Sequence, residues 1–133
     1  MRKVFVTGIG TDVGKTIISA ILTEALQADY WKPIQCGSLD LTDTERVKRL
    51  VESKQTVFHP EAYRLKTPAS PHHAAEVEDV KIHWGRLKVP ETQNTLVIEG
   101  AGGLLVPFNY KGETMFDLAK NWGAEVVIVS RNY

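Results

Sequence analysis

The chain has 133 residues, 43% of them hydrophobic, which is ordinary for a soluble globular protein and enough to bury a core in one domain. Sixteen basic residues balance sixteen acidic ones without a block of like charge, which argues against a nucleic-acid or anionic-membrane surface. No apolar run approaches the ~20 residues of a membrane span, MRKVFVTG has no signal-peptide core, and Cys36 is the only cysteine. A cytoplasmic protein without a disulfide or a cysteine-zinc cluster is expected.

In chain order, Val4-Phe5-Val6 is a β-rich run ending in Thr7-Gly8. Apolar residues at helical spacing in TIISAILTEAL (16–26) predict a helix that starts near Gly14. An extended piece from Tyr30 to Ile34 leads into turn chemistry at Cys36-Gly37-Ser38. Thr42 can cap a second helix with Glu45 as its capping-box partner, and Val47, Leu50 and Val51 form the expected inner face. His59 to Pro71 reads as irregular, with helix after His72. TLVIE (95–99) is an apolar strand closed by an acid and followed by Gly100-Ala101-Gly102-Gly103. Thr114 to Trp122 reads as helix and EVVIVS (125–130) as a strand buried on both faces. Apolar strands alternating with helices predict a parallel α/β sheet.

The most specific stretch is GIGTDVGKT (8–16), one place off the G-x-x-x-x-G-K-[ST] phosphate loop, because Ile9 stands where the first glycine belongs. The chemistry needs a backbone curled so that its N–H groups face phosphate oxygens, and a helix N-terminus behind it. Gly14-Lys15-Thr16 keeps that working half, with Lys15 able to reach outer phosphates and Thr16 able to ligate magnesium. A dinucleotide fingerprint fits less well: Val13 replaces its third glycine, and Asp29 opens the second strand instead of closing it.

Three further positions bear on chemistry. Glu99 closes an apolar strand at the expected carboxyl edge of the sheet, where an acid meets a nucleotide's metal, and the following glycines allow close backbone approach. Lys32 should also lie at a strand's carboxyl end, either as a solvated charge or as a neutraliser of a transferred phosphoryl group. Asp43, alone, reads as a surface acid favoured by a helix dipole. The histidines at 59, 72, 73 and 83 lack ligand spacing and suit surface or capping roles, and Trp31, Trp84 and Trp122 read as packing.

GIGTDVGKT, WKPIQCGS, LTDTE, ASPHH and VIEGAGGLLVP, in that order, resemble the dethiobiotin synthetase family over nearly the whole chain. That family's loop also carries its first glycine one place early; its usual G-T-D-T-x-V-G-K-T differs here at Ile9 and Gly10. The resemblance implies a P-loop NTPase-like, three-layer α/β/α fold and an ATP-dependent ring closure. In that chemistry 7,8-diaminopelargonic acid takes up CO₂ as a carbamate, which ATP activates as a carbamic–phosphoric anhydride. It implies that Asp12, Val13, Gly14, Lys15, Thr16 and Ile17 wrap the ATP phosphates, and that Gly100, Ala101 and Gly102 supply backbone contacts near nucleotide and substrate. Thr16, Asp43 and Glu99 would hold Mg²⁺, and Lys32, Lys15 and Thr11 would form the catalytic set. Cys36 stands where the family often places a substrate-side serine, and a thiol is a weaker hydrogen-bond donor.

The family continues past the point where this chain stops at VSRNY, with a further helix start, more strands and an adenine-binding asparagine. The resemblance therefore implies that residues 1–133 are the N-terminal part of a longer domain that works as a homodimer. Weak nucleotide binding and little turnover are expected of this stretch alone. Three other readings stand beside the ligase. A partitioning-type nucleotide switch would carry an extra loop lysine that Gly8-Ile9-Gly10 lacks. A cobyrinic-acid-type amidotransferase would need a glutaminase domain. The last is a piece that binds phosphate without turnover.

Overall fold

The computed structural model describes residues 1–132. Its centre is a five-stranded parallel sheet made of β1 (Lys3–Gly8), β2 (Asp29–Trp31), β4 (Phe58–His59), β6 (Leu96–Gly103) and β7 (Glu125–Val129), in the order β4-β2-β6-β1-β7. A second parallel pair joins β3 (Ile34–Cys36) to β5 (Tyr63–Leu65). The helices are α1 (Lys15–Ala25), α2 (Asp43–Leu50), α3 (Pro71–Val77) and α4 (Met115–Asn121).

Strand alternation sorts the core into two layers. Phe5, Trp31, Leu96 and Ile98 point to one face with Ala74 and Ala75 of α3 and Met115, Leu118 and Ala119 of α4. Val6, Tyr30 and Val97 point to the other, with Ala20 of α1 and Val47 of α2. The expected α/β/α sandwich is therefore present. Trp31 stacks at a tilt on Trp122, centroids 5.4 Å apart, and Trp84 meets Phe108 edge-on at 5.3 Å, so the tryptophans do pack.

Several boundaries differ from the sequence expectation. The piece from Tyr30 to Ile34 is two strands in two sheets. Pro33 has no N–H to continue the β2 ladder, and its carbonyl instead accepts from Ala62 and Tyr63. Within the stretch read as irregular, His59 closes β4 and Tyr63–Leu65 form β5. On α2, Val47 is buried but Leu50 is 52% exposed, because Val51 leaves the helix in an extended conformation and takes the inward place. Pro71 opens α3, ahead of the start expected after His72, in the position where a missing N–H costs nothing. Among the described residues β7 is paired on one side only, to β1, and Val126 and Ile128 are 38% and 56% exposed. β6 runs on through the glycines to Gly103, with a register shift opposite Val6 and Gly8.

Candidate active site

The loop between β1 and α1 explains its own displaced glycine. A Cβ at Gly8 would lie 2.5 Å from Val13 Cγ2 and 3.0 Å from the Gly10 carbonyl, so only glycine lets the chain fold back on itself there. Ile9, at the position the commoner pattern reserves for glycine, is 62% exposed and has no such constraint. Asp12 and Gly14 both take left-handed backbone, with φ of 56° and 102°. Gly14 is also the N-cap of α1 and offers no side chain to cap it. The first-turn amides therefore remain available to an anion, with the positive end of the helix dipole behind them. Lys15 is nearly buried and curls over the loop, its Nζ donating to the Gly10 carbonyl at 2.9 Å.

Lys32 follows β2 directly and is 3% exposed. Its ammonium lies 2.7 Å from Asp43 Oδ2 and 3.1 Å from Glu99 Oε2, and donates to the Gly100 carbonyl at 3.0 Å. Thr16 Oγ1 donates to the same Glu99 Oε2 at 3.1 Å, while Tyr30 donates its hydroxyl hydrogen to Glu99 Oε1 at 3.0 Å. Two helix starts and two strands thus bring Thr16, Lys32, Asp43 and Glu99 to one point. Asp43 is not the isolated surface acid that its local sequence suggests.

Burial sets the electrostatics, and the partners decide its outcome. Burial lowers the Lys32 pKa, but Glu99 and then Asp43 outweigh it and hold the ammonium above the usual range. Burial raises Asp43, but Lys32 reverses this and leaves it below the ordinary carboxylate value. Glu99 stays above that value, because burial exceeds the opposing pull of Lys32. Lys15 is lowered by burial and then by repulsion from Lys32. Burial also pushes the Cys36 thiol up to about 11.

These groups open on a cleft of about 590 Å³ at the carboxyl edge of the sheet. Thr11, Asp12, Gly14, Lys15, Thr16, Ile17, Lys32, Cys36, Asp43, Glu99, Ala101 and Gly102 line it. Two expected residues do not. Val13 turns into the core beside Gly8, and Gly100 gives its carbonyl to Lys32. Sequence reasoning missed the polar residues Gln35, Ser38, Arg46 and Ser70, which line the cleft together with Pro68 and Ala69, and Tyr30 behind Glu99. Gln35 fixes the start of α2, accepting from the Asp43 amide at 3.0 Å and donating to the Gly37 carbonyl at 3.0 Å. Signals existed: Tyr30 shares the strand parity of Lys32, and Arg46 lies three residues past Asp43 on one helix face.

The histidines stay outside this cleft. His59 Nε2 sits 3.2 Å from Asp29 Oδ2, a partly buried role and not the surface or capping one expected, and His72 Nδ1 pairs with Ser70 Oγ at 3.2 Å. Among the described residues no three His, Cys, Asp or Glu side chains cluster as a metal site. The donor set here is two carboxylates and a hydroxyl, all hard oxygens. That suits Mg²⁺, which keeps several waters and binds through one or two carboxylates plus substrate phosphates.

A family model described as an AAA domain matches residues 2–133. The chain belongs to that family. This AAA domain is 53% identical over 132 residues to the ATP-dependent dethiobiotin synthetase BioD of Christiangramia forsetii, covering 99% of this chain and 63% of that protein. It is 51% identical to the protein of the same name from Cytophaga hutchinsonii, covering 100% of this chain and 64% of the relative. The Nitrobacter hamburgensis protein of that name is 50% identical over 97% of this chain and 60% of its own length. The resemblance drawn from the sequence therefore holds along the chain, which spans under two thirds of the length of these relatives. Among the described residues no helix is long and apolar enough to cross a membrane.

Proposed function

We propose that this chain carries the nucleotide- and cation-binding part of an ATP-dependent dethiobiotin synthetase. The observation that carries the proposal is the meeting of Lys15 and Thr16 from the phosphate loop with Lys32, Asp43 and Glu99 in one cleft. The names of its relatives support the same reading. One amine of 7,8-diaminopelargonic acid adds to CO₂ and loses a proton, leaving a carbamate. A carbamate oxygen attacks the γ-phosphorus of ATP, and the β–γ bridging oxygen departs with ADP. The second amine then attacks the activated carbonyl carbon, the cyclic urea closes, and phosphate leaves.

The protein's work is to align anions and neutralise their charge. The uncapped first turn of α1 and Lys15 would hold the β- and γ-phosphates, and Lys32 would sit between the carbamate and the migrating phosphoryl group. Thr16, Asp43 and Glu99 would hold Mg²⁺, which when bound neutralises charge on the phosphate oxygens. Thr11 would add a hydroxyl at the loop, and the thiol of Cys36, protonated at neutral pH with its pKa at about 11, would form part of the diamine wall. The same reading takes the working protein to be a cytoplasmic homodimer.

The test is ADP release by a protein extended to the full length of the relatives, supplied with ATP and Mg²⁺. Release should require diamine and bicarbonate together. ATP consumption indifferent to the diamine overturns the assignment.

A further inference from the structure

The two oxygens of Glu99 have different surroundings. Oε2 faces the cleft, with Thr16 Oγ1 and Lys32 Nζ each at 3.1 Å. Oε1 faces the protein and accepts from the Tyr30 hydroxyl at 3.0 Å. Tyr30 has no exposed surface. Its strand pairs β6 with Tyr30 opposite Val97, and Glu99 lies two residues further along the same face. From there the ring spans diagonally to the carboxylate. The ring is held in turn by Phe58 across the β2–β4 pair, centroids 6.1 Å apart, and lies in the cluster of Val47 and Val97. A tyrosine fixed on a central strand has little freedom, so its hydroxyl marks one place for Oε1. With Oε1 held, Oε2 has one direction left.

We infer that Tyr30 is a positioning residue which locks the Glu99 carboxylate so that a single oxygen is presented to a divalent cation bound with Thr16 and Asp43; this rests on the cation reading proposed above. Without the hydroxyl, Oε1 would be a buried acceptor lacking a donor. The carboxylate would then rotate to share Lys32, taking Oε2 away from Thr16. Partners that orient a metal ligand from behind typically change affinity by roughly 10–100-fold.

The experiment is a binding cycle with Mn²⁺ as the probe, read by electron paramagnetic resonance on the full-length protein with a non-hydrolysable ATP analogue. Tyr30→Phe keeps the ring and should weaken Mn²⁺ binding about tenfold. In a Glu99→Gln background the same change should weaken it less than twofold, because there is no carboxylate left to position. Phe58→Leu, which loosens the packing but leaves the hydroxyl and its hydrogen bond in place, should lower the melting temperature and cost Mn²⁺ affinity less than Tyr30→Phe does. Equal loss in both backgrounds, no loss from Tyr30→Phe, or an equal loss from Phe58→Leu would each overturn the inference. If Glu99→Gln itself binds Mn²⁺ like wild type, the cation reading fails first and takes the tyrosine's role with it.

Discussion

Asp29 and Glu99 are both 1% exposed, one at the amino edge of the sheet and the other at its carboxyl edge, yet burial ends differently for them. Asp29 accepts from Thr92 Oγ1 at 2.6 Å, from Asn94 Nδ2 and the Val57 amide at 3.1 Å each, and pairs with His59 at 3.2 Å. Burial alone would raise its pKa, but this set of donors, Thr92 foremost, holds it below the ordinary value. Glu99 has a tyrosine, a threonine and a lysine that it shares with Asp43, and its pKa stays raised. The difference separates two uses of a buried acid. At the amino edge every bond ties the start of β2 to a neighbouring segment of the fold. At the carboxyl edge the bonds are shared, so a ligand can replace them.

Removing a cation at the carboxyl edge should have the largest effect. Under the proposed function, Lys15→Ala should lower the turnover of the full-length protein by roughly 10²–10³-fold, the usual loss for one preorganised donor. The fold should survive, since among the described residues the Lys15 side chain makes a single hydrogen bond, to its own loop. An unchanged rate removes Lys15 from the mechanism, and a collapse in melting temperature would assign it to the fold instead.

A paired measurement tests the contrast itself. Asp29→Ala leaves the Val57 amide and the Asn94 side chain without their acceptor and should cost about 2–3 kcal/mol by chemical denaturation. Glu99→Gln removes a carboxylate whose folded pKa is raised above its unfolded value, so ionisation of Glu99 opposes folding once the pH exceeds about 4.3. That change should therefore leave stability at pH 7 equal or higher while it weakens cation binding. If Glu99→Gln destabilises the protein as much as Asp29→Ala, the two acids do not differ in kind.

Much of this was legible in the sequence, for identifiable reasons. Helix α1, strand β1 and the apolar part of β6 declare themselves because periodicity and glycine chemistry act over a few adjacent residues. Lys15, Thr16 and Glu99 were readable because their position at a strand or helix end already implies a sheet edge. Asp43 was not readable from its own neighbourhood and entered only through the family resemblance, as its place beside Glu99 is set by Lys32, 2.7 Å away but eleven residues earlier in the chain. The break at Pro33 was readable in principle, since proline ends a ladder, but the new partner of β3 lies beyond an intervening helix and strand. Asp29 looked like a failed ribose ligand, and only its four tertiary partners give it a purpose.

The smallest effect isolates one of those partners. Thr92→Val keeps the shape of the side chain and deletes the 2.6 Å donor to Asp29. At neutral pH the loss should be about 1 kcal/mol, the net value of one hydrogen bond, with the remaining donors still in place. The sign of its pH dependence follows from the depressed folded pKa of Asp29. Such a carboxylate adds stability that is complete above its unfolded pKa of about 3.9 and disappears as the pH falls through the folded value. With Thr92 gone the folded pKa lies nearer the unfolded one, so the variant has less to lose on acidification. The wild-type and variant stability curves should therefore run apart at pH 7 and converge below about pH 4. Parallel curves across that range would mean that Thr92 acts through packing and that the donors do not set the ionisation of Asp29.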